Sequence, residues 1–349
     1  MLNEKLYNVS RRRVAWLLAV AAAAGLPAVP VDAQPQPPAL QIGLAAAADH
    51  SAVYPSKTFV SPVLEVSGSF SISATEEYLR MGASLIAVDV GTAAPPNYLV
   101  LTTGLDLKGM RAGRFRFEMP RPMPVGRYRI DLTADGRPWR SADFQILPAA
   151  EPAGPAGTTK LIPLTLGRIW TYAFRQQAGE GVQVDLPDIA PEPDGSYRAS
   201  VTLTVAALAD GLAHVETRRK DRLVFEEWLR LDDSGLAAAK RKQDGVVTVL
   251  NPPQMLLPLP LGEPKAWDYR AADGSFSQTY RMWGPVPVKG PAGEAPGYVV
   301  LTTQRIPPVG VTVERHFLPG VGMVREVLVQ ALNGNLVTRH ELVLTTMSE

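Results

Sequence analysis

Short runs in which apolar and polar residues alternate, separated by turn formers, dominate residues 51–147. The runs are Val63 to Ser73, Ser84 to Val90, Tyr98 to Thr103, Arg114 to Glu118, Arg127 to Thr133 and Ala142 to Leu147. Alternation places every second side chain on one face, so each run predicts a half-buried β-strand. No long amphipathic helix competes with them, and Glu76 to Met81 offers a single helical turn. About six or seven strands in about 100 residues predict a β-sandwich.

The last of these runs form a hairpin whose pattern tests its own register. If Asp135-Gly136 is a two-residue turn, Leu132 faces Trp139 and Asp131 faces Arg140. Continued without slip, that register sets Tyr128 against Asp143 and turns Phe144 to solvent. One extra residue near Arg140 or Ser141 returns Phe144 and Ile146 to the core, which predicts a β-bulge there. The segment Pro124 to Ile146 looks like the last hairpin of immunoglobulin-like modules in exported bacterial proteins.

Residues 158–349 are also strand-rich. They are punctuated by Asp194-Gly195, Asp210-Gly211, Asp244-Gly245, Asp273-Gly274 and Asn333-Gly334, which predict a succession of antiparallel hairpins. Two stretches are alike: both Leu161 to Tyr172 and Leu256 to Tyr269 read Leu-x-Pro-Leu-x-Leu-Gly and then Trp-x-Tyr. One copy in each half of the region indicates a half-domain duplication. Residues 148–157, rich in Pro, Gly and Ala, read as the linker between the two strand-rich parts, and residues 34–50 as a flexible tether before the first.

The two Gly…Trp-x-Tyr openings, with the closing segment Val313 to Glu326 and its Pro319-Gly-Val-Gly322, resemble a β domain of uncharacterised exported bacterial proteins. In that pattern the last segment reads as an aromatic residue, Ala-Pro-Gly-Val-Gly, a hydrophobic residue and Val. The resemblance implies a strongly curved antiparallel sheet, similar in outline to the half-barrels of periplasmic lipoprotein carriers. It implies a fold and no activity. The expected fold class is therefore all-β, an N-terminal immunoglobulin-like sandwich followed by a larger antiparallel curved-sheet (half-barrel) domain.

Residues 1–33 have a different pattern. Lys5 and Arg11 to Arg13 give a basic start, Val14 to Ala24 an apolar run, and Val31-Asp32-Ala33 a small-x-Ala cleavage site. This is the pattern of a cleavable secretory signal, which predicts a periplasmic or secreted bacterial protein. The apolar run is far shorter than the about 20 residues that a permanent membrane anchor needs. Ser10-Arg11-Arg12-Arg13 also resembles the twin-arginine consensus, so both export routes stay open.

Composition narrows the chemistry. Among 349 residues, Lys+Arg 35 against Asp+Glu 34 leaves a net charge of +1, which gives no electrostatic footprint for nucleic acid. The absence of cysteine excludes disulfides, thiolate metal sites, cysteine nucleophiles and a lipidated cysteine anchor. His340-Glu341 begins like a zinc-protease motif, but Leu344 stands where the second histidine belongs. With Asn333-Gly334 setting the register, His340 is expected opposite Val327, while Glu326, Arg339 and Glu341 share the solvated face. Gly320-Val-Gly-Met-Val-Arg325 lacks the third glycine of a dinucleotide loop and precedes a strand, so it reads as a turn. No cofactor and no metal site is expected.

Three further segments hold candidates. Glu227 alone interrupts the row Leu223, Phe225, Leu229 and Leu231, a position where a desolvated carboxyl could act as a general acid unless an arginine such as Arg218 or Arg222 meets it. Trp228, beside Glu226 and Arg230 on the opposite face, could stack on a sugar. Asp185, Asp188, Glu192 and Asp194 read as a solvated loop, because their spacing fits no calcium loop. Lys240-Arg241-Lys242 reads as a charged edge or turn. The run Met255 to Leu261 is barred by its prolines from a central strand and is expected across the mouth of the curved sheet.

The function expected first is non-catalytic: an exported cell-envelope protein that scaffolds, or binds a protein or polysaccharide partner, with the sandwich as its adhesive module. The alternative is a periplasmic carrier of a lipid or other hydrophobic small molecule. Trp170, Tyr172, Trp267, Tyr269, Trp283 and Glu227 are then the candidate ligand-binding residues, around a pocket of at least about 300 Å³. A third reading is a carbohydrate-active enzyme using Glu227.

Overall fold

The computed structural model describes residues 40–348 apart from 74, 150–161, 185, 187, 263 and 275. The export signal, the Pro-rich start of the tether and most of the linker lie outside the described residues. The chain divides between Pro152 and Ala153 into two compact units.

The first unit is built from β1 (Leu40–Gly43), β2 (Ala45–Ala46), β3 (Ala52–Val53), β4 (Thr58–Val60), β5 (Glu65–Ser71), β6 (Arg80–Asp89), β7 (Tyr98–Asp106), β8 (Ala112–Glu118), β9 (Gly126–Ala134) and β10 (Arg137–Leu147). A three-stranded sheet, β1-β5-β8, and a five-stranded sheet, β4-β10-β9-β6-β7, make a sandwich, and β2 pairs β3 separately. All pairs are antiparallel except β4 with β10. Inward residues such as Val66, Leu85, Phe117 and Ile130 are fully buried between the sheets. Residues 76–81 form no helical turn; a single 3-10 turn instead follows β6 at Gly91–Ala93.

Part of the expected tether is folded. Leu40, Gln41, Ile42 and Gly43 pair with Phe70 back to Ser67 on β5, and Ile42 and Leu44 are buried. The Leu-x-Ile-x-Leu alternation outweighs the Pro- and Ala-rich composition, because burial of those side chains depends on their spacing and not on the average of the segment.

The hairpin carries the expected bulge, one residue earlier than placed. Pro138 faces Thr133 but Arg140 faces Leu132, so Trp139 is the extra residue. Phe144 thereby faces Tyr128, stacked at 5.3 Å between centroids, and Phe144 and Ile146 are buried. Tyr128 donates its hydroxyl proton to the Pro124 carbonyl at 2.8 Å, a tyrosine corner of the kind that locks immunoglobulin-like sandwiches. Trp139 packs against Phe70 and Tyr78 and donates to Glu76 Oε1 at 3.3 Å.

The second unit consists of β11 (Ile169–Ala178), β12 (Tyr197–Ala209), β13 (Leu212–Arg219), β14 (Arg222–Asp232), β15 (Gly235–Gln243), β16 (Val246–Pro258), β17 (Lys265–Arg270), β18 (Ser277–Gly290), β19 (Gly293–Ile306), β20 (Val309–Leu318), β21 (Gly322–Leu332) and β22 (Asn335–Ser348). They form one 12-stranded sheet made of two consecutive meanders, β11 to β16 and β17 to β22, joined where β11 pairs β22. Each meander opens with one Trp-x-Tyr: Trp170 and Tyr172 on β11, Trp267 and Tyr269 on β17. Asp210-Gly211, Asp244-Gly245 and Asn333-Gly334 close hairpins with both residues at positive φ, which the right-handed twist of the flanking strands favours.

The expected curved antiparallel sheet is present, and its curl continues until its two edges meet. Across the seam between β16 and β17, Ala272 N donates to Asn251 O at 2.9 Å and Trp267 Nε1 to Met255 O at 3.1 Å. Gln254 Nε2 also reaches the Tyr280 hydroxyl and Gln278 Oε1 of β18. The result is a nearly closed barrel. The prolines of β16, Pro252, Pro253 and Pro258, sit on this edge strand, where missing backbone donors cost least.

Registers on the far side differ from expectation. A shift between Gln330 and Ala331 places His340 opposite Leu328, not Val327. A one-residue slip exchanges the two faces. His340 keeps the inward face expected for it, Glu326 of β21 joins it inside the barrel, and Glu341 stays outside and pairs with Arg325 at 2.6 Å. No helix of the described residues is long and apolar enough to cross a membrane.

Candidate functional site

Opposed residues of an antiparallel pair share a face, so the hairpin registers decide what lines the barrel. Trp170, Tyr172 and Phe174 of β11 point inward beside Val201 and Leu203 of β12. Val215 and Thr217 of β13 and Phe225, Glu227 and Leu229 of β14 continue the row. Tyr280, Thr302, Arg315 and Phe317 face them from the second meander. Together these residues surround a cavity of about 200 Å³. That is below the roughly 300 Å³ at which pockets for drug-sized ligands begin, so the lipid-sized pocket foreseen for a carrier shrinks to room for a small molecule or a short chain.

The cavity wall is mainly apolar but carries two ion pairs. Arg241 Nε of β15 donates to Glu227 Oε1 of β14 at 2.6 Å, and Arg315 Nε of β20 donates to Glu326 Oε2 of β21 at 2.7 Å. Both pairs join the fourth and fifth strands of their meander, with acid and base exchanged. The duplication thus sets them on opposite walls. His340 Nε2 lies 3.6 Å from Glu326 Oε1. Burial alone would raise the Glu326 pKa, but the Arg315 charge, the nearby His340 ring and the hydrogen bond from Arg315 outweigh it and hold the carboxyl down at about 2. Burial likewise opposes the charge of Arg315, and the Glu326 carboxylate overcomes it, raising the guanidinium further. Burial pushes Tyr280 up to about 12 and Tyr172 higher still, so both phenols stay protonated.

A polar ladder runs beside these pairs. Gln254 meets Gln278 and Tyr280, the Tyr280 hydroxyl donates to Gln278 Oε1 at 2.6 Å, and Gln278 Nε2 donates to Gln304 Oε1 at 3.3 Å. Among the described residues Gln254 Oε1 and Thr302 Oγ1 are buried without a hydrogen-bond partner.

Of the residues singled out from sequence, Trp170, Tyr172 and Glu227 line the cavity. Trp170 Nε1 and the Tyr172 hydroxyl are also tied to the Val321 and Met323 carbonyls, at 2.7 and 2.8 Å. Trp267 pairs with Tyr280 on the same face and stacks 5.0 Å from its ring without lining the cavity, and Tyr269 is buried against Phe276. Trp283 lies opposite Val299 on the other face of its strand, because the inward positions of β18 are Gln278, Tyr280 and Met282. Arg241, Arg315, Glu326 and His340 were not foreseen as one site. The isolated Glu227 in an apolar row was the only local sign of it, and Arg241, placed in a charged edge by sequence, is its partner.

The outer face of β13 to β15 has its own cluster. His214 stacks on Trp228 at 4.3 Å, Lys240 lies 4.0 Å from the same ring, and Glu226 takes hydrogen bonds from His214 and Lys242. The Trp228 ring is thus covered by protein groups where a sugar would stack. His214, Glu216 and Glu226 bring ligand atoms within 4.8 Å of one another, but Lys242 and Arg218 already neutralise the two carboxylates. In the acidic loop, Asp188 is held by Arg219 and Asp194 by Ser196 and Arg175, so they point to separate partners and not to one ion. Asp185 lies outside the described residues.

Neither interior carboxyl is the lone desolvated acid expected from the sequence. Arg315 holds Glu326 in the ionised form, and Glu227 is bonded to Arg241 instead of standing alone.

No family model matches the chain, and no curated protein matches it. Among solved structures it is similar to a candidate lipoprotein from Parabacteroides distasonis, at 12% identity and a TM-score of 0.24, over 54% of this chain and 97% of that one. It is also similar to a candidate exported protein with a YmcC-like fold from Bacteroides fragilis, at 11% identity and a TM-score of 0.22, over 54% of this chain and 99% of that one.

Proposed function

We propose that this is a non-catalytic binding protein of the bacterial cell envelope, and that its barrel holds a small hydrophobic or amphipathic molecule. The observation that carries the reading is the cavity of about 200 Å³, walled by Trp170, Phe174, Leu203, Phe225 and Phe317 inside a sheet whose edges meet. An apolar space with a few placed polar groups is the usual form of a small-molecule site. Envelope location rests on the basic, apolar and small-x-Ala pattern of residues 1–33.

The test is native mass spectrometry of the protein purified without detergent, with 1-octanol added as a probe. One bound octanol per chain, lost in Thr217→Trp, whose indole would occupy the cavity, is the expected result. No binding by the unmodified protein, or equal binding by a folded Thr217→Trp variant, overturns the reading.

A second reading keeps the sandwich as the docking module. β7 is an edge strand on which Tyr98, Leu99 and Leu101 are all exposed, and open edges accept a further strand. Tyr128 and Trp139 do not serve it, since the first is core and the second packs on Phe70. Leu99→Glu should abolish capture of an envelope partner if this reading holds, and unchanged capture would count against it.

A further inference from the structure

The two cavity arginines use their guanidinium groups in the same restricted way. Each meets its glutamate through Nε, and among the described residues neither Arg241 nor Arg315 forms a further hydrogen bond. The contrast is Arg219, which engages Asp188 through both Nε and Nη2. A guanidinium carries five N–H donors in a fixed fork, so the Nη groups of both cavity arginines remain to be matched. Both residues line the cavity, with 12% and 22% of their side-chain surface accessible.

Within the described residues these Nη groups meet no acceptor. Among the described residues the unpaired buried oxygens on the cavity wall are Gln254 Oε1 and Thr302 Oγ1, and the second is equally able to donate. Arginine donors on opposite walls of one small, largely apolar space suit a planar oxyanion with two acceptor oxygens, which arginine recognises best. The charge balance limits which anion fits. Glu227, Glu326, Arg241 and Arg315 sum to zero, so any bound anion adds its whole charge to the interior; hydrogen bonds from the Nη groups offset the single charge of a monoanion more readily than the two of a dianion. Trp170, Phe174, Leu203 and Phe225 leave apolar wall for a chain.

We propose that the cavity binds a short- to medium-chain monocarboxylate, with its carboxylate between Arg241 and Arg315 and its chain against the Trp170 and Phe225 wall. The inference rests on the ligand-binding reading above and names the ligand class of that same site.

The experiment compares octanoate, 1-octanol, octyl phosphate and octyltrimethylammonium, one chain with four head groups, by titration calorimetry on the full chain at pH 7. Octanoate is expected to bind at least about tenfold more tightly than 1-octanol, and the ammonium to bind weakest. Equal affinity for octanoate and 1-octanol overturns the carboxylate assignment while leaving the cavity reading intact. Tighter binding of octyl phosphate than of octanoate also overturns it. Binding of none of the four removes both. In the double variant Glu227→Gln with Arg241→Met, which deletes a whole ion pair and strands no charge, the preference for octanoate over 1-octanol should vanish. A folded double variant that keeps the preference refutes the placement of the head group. Should it fail to fold, the same comparison in Arg241→Lys, which keeps the charge but loses the fork, is expected to show a several-fold weaker preference, and an unchanged one is refuting.

Discussion

Glu326 offers a quantitative test of the barrel interior. Its pKa of about 2 lies below an ordinary 4.5. At about 1.4 kcal/mol for each pH unit, the gap corresponds to about 3 kcal/mol of stabilisation by the ionised form. A depressed carboxylate contributes fully above its unfolded value and loses its contribution as pH falls through the folded one. The contribution should therefore be complete above about pH 4.5 and disappear towards about pH 2. Glu326→Gln removes the charge and leaves Arg315 buried without its counter-ion, for which losses of about 3–5 kcal/mol are usual. The two routes agree on a loss of about 3 kcal/mol near neutral pH. The assay is urea unfolding between pH 7 and pH 2, followed by the fluorescence of Trp170, Trp228, Trp267 and Trp283, all of which lie in the second unit. The midpoint of the unmodified protein should fall over that acid window, with a constant urea slope. The variant should start lower and meet it near pH 2. A variant that loses less than about 1 kcal/mol at pH 7, or whose acid slope matches the parent, would show that the ion pair does not stabilise the barrel in this way.

Other consequences follow from particular contacts. At Gly179 an added Cβ would fall 1.8 Å from the Leu336 carbonyl oxygen, so Gly179→Ala should destabilise the second unit by about 1–3 kcal/mol in thermal unfolding. Arg219 is 4% exposed and bonded to Asp188; Arg219→Met should cost about 3 kcal/mol, and adding Asp188→Asn should recover part of it, a coupling that a double-mutant cycle reads. Trp170→Phe should lose about 1 kcal/mol with the bond to the Val321 carbonyl but keep the cavity wall, whereas Trp170→Ala should lose about 3 kcal/mol or more. In the sandwich, Tyr128→Phe should lower stability by about 1 kcal/mol in urea unfolding, by removing the hydroxyl bond to the Pro124 carbonyl.

Local pattern alone determined the all-β class, the positions of the hairpin turns at Asp210-Gly211, Asp244-Gly245 and Asn333-Gly334, and the two-fold recurrence of Trp-x-Tyr. These follow from alternation and from the positive φ that such turns require, both of which act within a few residues. Even the bulge beside Arg140 was legible, because Phe144 and Ile146 would otherwise have faced water. The site was not legible in the same way. Glu227 stood out, but its partner Arg241 lies across a hairpin whose irregularity at Trp228/Leu229 carries no local mark. The shift between Gln330 and Ala331 turned Glu326 inward against expectation, to the face where His340 was expected, since bulges that do not rescue an obvious apolar residue leave no trace in the pattern. Only closure of the sheet brings β14 and β15 to face β20 and β21 across one cavity. That pairing depends on curvature accumulated over the whole 12-stranded sheet, a property of strand order and twist that no single segment encodes.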